Sequence, residues 1–233
     1  MRGCLAVLIL AAGLVLAVAW FAGPTLAGAV VDRSLDDAGF VAAQRSVTVS
    51  SDQPLEILAG HADRVTITAT RARVRDLSAA RVQLTLTNVD LVNGTFAGVV
   101  GQLDDVLIPT VDGSSVDARS VTVRGRAGAA TAVVRIDSSI VEALLGKAIR
   151  RQTGLSVTAV TLSEPDRIRF TAGLTISGRF AVAADDSLVI AATSGDTRFT
   201  VFQPNPDLRL TSVVVAGNEL VLTGTTDLRD LIR

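Results

Sequence analysis

Arg64-Val65-Thr66-Ile67-Thr68-Ala69-Thr70 alternates aliphatic and polar side chains, and Arg81-Val82-Gln83-Leu84-Thr85-Leu86-Thr87 repeats the pattern. Successive side chains of a strand point to opposite faces, so each stretch reads as a half-buried antiparallel strand with one dry and one wet side. Val47 and Val49 upstream, and Ser120-Val121-Thr122-Val123-Arg124 downstream, share the period of two. Gly125 to Gly128 reads as a hairpin turn into a strand over 131–136. Further short strands are expected over 157–162, 168–176, 180–184, 188–192, 199–202, 208–215 and 220–223.

Two stretches break this period. Ile140, Val141, Leu144, Leu145, Ala148 and Ile149 form an apolar stripe at helical spacing. Asp137 or Ser138 stands at the capping position and Gly154 at the stop. Lys147, Arg150 and Arg151 crowd the last turns, where cations complement the helix dipole. Nearer the N-terminus, Leu26, Val30, Val31, Leu35 and Ala38 make a second stripe opposite Asp32, Arg33, Asp36 and Asp37. Each helix precedes a run of strands, a faint hint of a twofold repeat. The expected architecture is a single α+β domain over 25–233. In it a long curved antiparallel sheet wraps around one or two amphipathic helices, preceded by a hydrophobic N-terminal helix.

The compartment is read from residues 1–24. Cys4 to Gly23 carries no charged or strongly polar side chain, and as a helix it spans about 30 Å, the thickness of a bilayer core. Arg2 precedes it, so the remainder is expected on the extracytoplasmic side. Ala27-Gly28-Ala29 fits a cleavage site, whereas the length of the run fits a retained signal anchor. Both readings stand: anchored in the plasma membrane, or released into the periplasm. Beyond Cys4 there is no cysteine, so disulfides are excluded there and a core must carry stability.

Chemistry has little to work with. The formal net charge of −1 gives no electrostatic reason for a nucleic-acid partner. His61 is the single imidazole, there is no G-x-S-x-G elbow, and no cysteine or histidine pair can hold zinc. His61 reads as a solvated turn residue rather than a general base. Asp104-Asp105, Asp112-Gly113 with Asp117, and Asp185-Asp186 lack calcium-loop spacing and read as turn markers. No catalytic group, metal or cofactor is expected. Phe96, after Asn93-Gly94-Thr95, reads as part of a loop that either meets a membrane or folds back over the core.

What remains is a large aliphatic interior that either packs solid or encloses an acyl chain. The candidate lipid-lining residues are Val65, Ile67, Leu84, Leu86, Val121, Val123, Ile140, Leu144, Leu145 and Ile149. Lys147, Arg150 and Arg151 are candidates for an anionic headgroup. Three further stretches are Pro54-Leu55-Glu56-Ile57-Leu58-Ala59-Gly60, Leu84-Thr85-Leu86-Thr87-Asn88-Val89 and Glu142-Ala143-Leu144-Leu145. With the tail Leu208-Arg209-Leu210-Thr211-Ser212-Val213 and Leu220-Val221-Leu222-Thr223-Gly224-Thr225, they resemble the LmeA-like phospholipid-binding family of the actinobacterial envelope, formerly a domain of unknown function. Leu55 departs from it, where an aromatic is expected. The resemblance implies a TULIP-like fold, in which a curled sheet wraps a long helix and holds an acyl chain. It also implies a phosphatidylinositol-type ligand and a part in mannolipid (lipomannan-type) assembly or lipid transfer. The alternatives are a membrane-anchored structural or interaction protein with a full core, and, more remote, an envelope enzyme using carboxylates or His61.

Overall fold

The computed structural model describes residues 25–228 apart from 112, 195–196 and 205–207, so the apolar run at 4–23 lies outside the described residues. Antiparallel sheet makes up 61% of the fold and helices are few. Among the described residues, no helix is long and apolar enough to cross a membrane.

A helix over 25–37 (α1) leads into β1 (Phe40–Val41) and β2 (Gln44–Ser50). Both pair with the same edge of β3 (His61–Val74), as one interrupted strand would. A short helix, α2 (Pro54–Leu58), lies between β2 and β3. Hairpins then add β4 (Leu77–Asp90), β5 (Thr95–Pro109), β6 (Ser115–Arg126) and β7 (Ala129–Asp137) in order. The main helix, α3 (Ser138–Thr153), ends this meander. Next comes a separate five-stranded meander: β8 (Ala159–Ser163), β9 (Arg167–Ala172), β10 (Leu174–Val182), β11 (Leu188–Ala192) and β12 (Arg198–Phe202). Finally β13 (Leu208–Ala216) and β14 (Glu219–Thr226) return to the first sheet, where β14 pairs with β7 and completes nine strands.

The period-two stretches fall inside strands longer than their alternation suggests. At Arg71, Asn88 and Asp105 φ turns positive (48°, 50° and 50°) although the pairing register continues. The buried parity shifts there: Val65, Ile67 and Ala69 give way to Ala72 in β3, and Val121 to Ala118 in β6 opposite Asp105. These kinks let strands of 14 or 15 residues follow the long curve of the sheet.

Several expectations need correction. Asp104 and Asp105 lie within β5 and mark no turn: the pairing with β4 and β6 continues on both sides of them, and only the inward parity shifts at Asp105. Asp185 does shape a turn: its Oδ1 accepts the Ser187 hydroxyl at 2.6 Å, and Asp186 has φ 62°. The expected strand over 168–176 is broken at Gly173, whose φ of 76° turns the chain from β9 straight into β10. The stretch at 180–184 belongs largely to β10. Asp137 holds the N-cap position of α3 without a side-chain hydrogen bond. Gly154 ends α3 in the left-handed conformation as expected, with its N–H donating to the Arg150 carbonyl.

Two apolar clusters form the core: the larger joins the two sheets, and the smaller seats α1 and α2 on the nine-stranded sheet. In the larger, Val141, Leu145 and Ile149 of α3 pack against β6, β7 and β14 on one side and β8 and β12 on the other. Phe170 and Phe199 meet there edge to face, 5.7 Å between centroids. The smaller cluster gathers Ala27 of α1 and Ile57 of α2 over Val49, Ala62, Val65, Ile67 and Val89.

Candidate functional site

The inner face of the nine-stranded sheet is covered at both ends and only partly in between. Pairing aligns Leu84 with Gly101, Gly101 with Val123, Leu86 with Val99, and Val82 with Leu103. Leu84, Leu86, Leu103 and Val123 are half-buried, although Val82, Val99 and Val121 beside them are buried. Leu84 touches both clusters and Leu86 the smaller, while Leu103 and Val123 border the larger. An aliphatic strip thus crosses β4, β5 and β6 between the two cores. Gly101 lets Leu84 lie across β5, since a Cβ on Gly101 would run into Leu84 Cδ2.

Helix α1 borders this strip. Its Gly28 approaches the Val47 carbonyl of β2, and its Asp32 and Asp36 pair with Arg45 of β2 at 2.5 and 2.9 Å. At about 100° per residue, Leu26 and Val30 lie on the flank of the helix away from Gly28 and Asp32. Both are exposed.

The ten candidate lining residues do not form one wall. Val65, Ile67 and Leu86 join the smaller cluster. Val121, Val123, Ile140, Leu144, Leu145 and Ile149 join the larger, and Leu84 bridges the two. Val65, Leu145 and Ile149 are wholly buried and act as core. Leu144 and Ile140 are half-buried, so the stripe of α3 is not uniformly interior. Around the helix axis these two share a flank with Lys147 and Arg151. Lys147 is exposed and Arg150 reaches Ser156 Oγ at 3.4 Å. Lys147 and Arg151 therefore sit beside half-buried aliphatics.

A groove of about 420 Å³ opens on the other side of α1, lined by Thr25, Gly28, Ala29, Asp32, Arg45, Val47, Thr48 and Val49. None of the ten candidates lines it. Arg45 is neutralised there by its hydrogen bonds to Asp36 and then Asp32, which raise its pKa further, and it lies over the Phe40 ring at 5.9 Å. That arrangement closes the edge of the sheet and offers no unpaired cation.

His61 is exposed at the start of β3 opposite Asp90. No cluster of three potential metal ligands occurs among the described residues. Phe96 is half-buried against the smaller cluster at the start of β5, which is the folded-back alternative. Sequence reading missed Leu103, Leu26 and Val30. Leu103 was hidden beside an Asp-Asp pair taken for a turn, and the stripe expected opposite Asp32 and Asp36 did not show that Leu26 and Val30 stay exposed while the two aspartates meet Arg45 of β2.

No family model matches the chain, and neither does any curated protein or solved structure.

Proposed function

We propose that this chain is a non-enzymatic phospholipid-binding protein of the bacterial cell envelope, held at or exported across the plasma membrane by residues 1–24. One acyl chain lies on the inner face of the curved sheet along Leu84, Leu86, Leu103 and Val123, between α1 and the core around α3. The observation that carries this reading is that strip: aliphatic, inward-facing, half-buried and free of polar side chains. Leaving several leucines partly wet forfeits about 25 cal/mol for each Å² of apolar surface not buried, and a lipid tail would recover it. The long curved sheet, with α3 packed on it, supports reading the architecture as TULIP-like. Ile140 and Leu144 beside Lys147 and Arg151 suit a tail and an anionic, phosphatidylinositol-type headgroup. A part in lipid transfer or mannolipid assembly would follow from such binding.

The test is extraction of the detergent-purified full chain into organic solvent, followed by mass spectrometry. A stoichiometric phospholipid is expected. Protein free of lipid, and unable to take up added phosphatidylinositol, would overturn the reading. It would leave a membrane-anchored interaction protein with a packed core, which the complete burial of Val65, Leu145 and Ile149 favours.

A further inference from the structure

At one end of the nine-stranded sheet, large aliphatic side chains project into solvent from three separate elements. Leu55 and Leu58 of α2 are 53% and 52% exposed, and Val92 in the β4–β5 turn is 77% exposed. The Leu91 N–H donates to the Gly60 carbonyl at 2.7 Å, which ties the turn to the exit of α2. Val92 packs so closely there that a Cβ on Gly60 would run into its Cγ2. Leu26, 60% exposed, emerges at the same end, because neighbouring Ala27 enters the same cluster as Ile57 of α2. Together they leave a contiguous aliphatic patch in water at this end.

The chain leading into this end decides what covers the patch. Helix α1 runs antiparallel to β2, with Gly28 over Val47 and Asp36 at Arg45, so its first turn lies at the α2 end of the sheet. The uncharged run Cys4 to Gly23 stops just before that turn, separated from it by Pro24 alone. A segment long enough to cross a bilayer therefore delivers the domain to the membrane with this end first.

We infer that the end formed by α2, the β4–β5 turn and the start of α1 rests in the outer surface of the bilayer, with Leu55, Leu58 and Val92 in contact with hydrocarbon. Asp52, Glu56, Asp63 and Asp90 surround the patch, against His61 and Arg64. Attraction to anionic headgroups thus contributes nothing, and contact depends on the aliphatic side chains. The same end opens onto the strip: Phe96 and Leu91 lead to Leu86 and then Leu84. This orientation rests on the envelope reading above and adds to it a route by which a lipid leaves the bilayer for the sheet.

Site-specific quenching in the full chain tests it. In a Cys4→Ser background, Leu58→Cys, Val92→Cys and Val111→Cys are each labelled with an environment-sensitive fluorophore. Each protein is then reconstituted into phosphatidylcholine vesicles containing a shallow spin-labelled phosphatidylcholine. Val111 is an exposed aliphatic just beyond the opposite end of β5, a strand roughly 45 Å long at strand rise. The labels at 58 and 92 are expected to shift to the blue and lose most of their emission, while the label at 111 stays water-like. Adding phosphatidylglycerol should not deepen the quenching. Labels at 58 and 92 as unquenched as that at 111, or all three quenched alike, would overturn the orientation. Lipid extracted from the same detergent-purified proteins before reconstitution reports separately on the binding reading, so either failure is recognised alone.

Discussion

Leu144 and Leu145 are adjacent on α3, yet they face different surroundings, and truncating each to alanine separates core from strip. Leu145 has no exposed surface and sits among α3, β6, β7 and β14 on one side and the five-stranded sheet on the other. With sheets on both sides, the space it leaves has little freedom to collapse. Its loss should cost about 3–4 kcal/mol, within the range for buried leucines. For a chain of this size each kcal/mol lowers Tm by about 2–4 °C, so a fall of roughly 6–16 °C is expected. Leu144 is half-buried at the flank, and its truncation should cost about 1 kcal/mol and at most about 4 °C. Scanning calorimetry of lipid-stripped protein gives both values. Lipid retained through purification, counted by mass spectrometry, should fall for Leu144→Ala and hold for Leu145→Ala at temperatures where both are folded. Equal losses of stability would refute the assigned difference in burial. An unaltered lipid complement in Leu144→Ala would remove this flank of α3 from the ligand wall.

Two glycines of the sheet should respond differently to alanine. Gly125, with φ 148°, has Ala129 O and Ala130 Cα both at 2.8 Å from an added Cβ, all rigid backbone, so Gly125→Ala should cost about 3 kcal/mol or more in urea unfolding. Gly101→Ala displaces mainly the movable end of Leu84 and should cost about 1–2 kcal/mol while reducing lipid uptake. The Asp90 carboxylate is held below its usual pKa, chiefly by the Asn93 backbone N–H, then by the Asn93 side chain and the Val92 N–H. A depressed folded-state pKa gives stability that is present above the unfolded value of about 3.9 and lost as pH falls through the folded one. Asp90→Ala should therefore be less stable than the parent at pH 7, with the gap narrowing below about pH 4, as followed by thermal melts across pH.

The alternation at 64–70 and 81–87 was legible because a strand's period is local, and both stretches lie in β3 and β4 where the pattern places them. The stripe of α3 and its Gly154 stop were legible for the same reason. Gly173 escaped notice because a glycine inside an apolar run looks the same whether the strand continues or reverses; the positive φ belongs to the folded backbone. The strip escaped more fundamentally. Parity assigns Leu84, Val82 and Val65 to an inner face alike, but what covers each of them is contributed by α1, α2 or α3, elements distant in sequence. Val82 and Val65 fall under one cover or the other, and Leu84 falls at the seam. A binary pattern records which way a side chain points and carries no term for what stands opposite. An incompletely covered surface, the feature a lipid would use, is therefore the part of such a fold that only the assembled sheets and helices reveal.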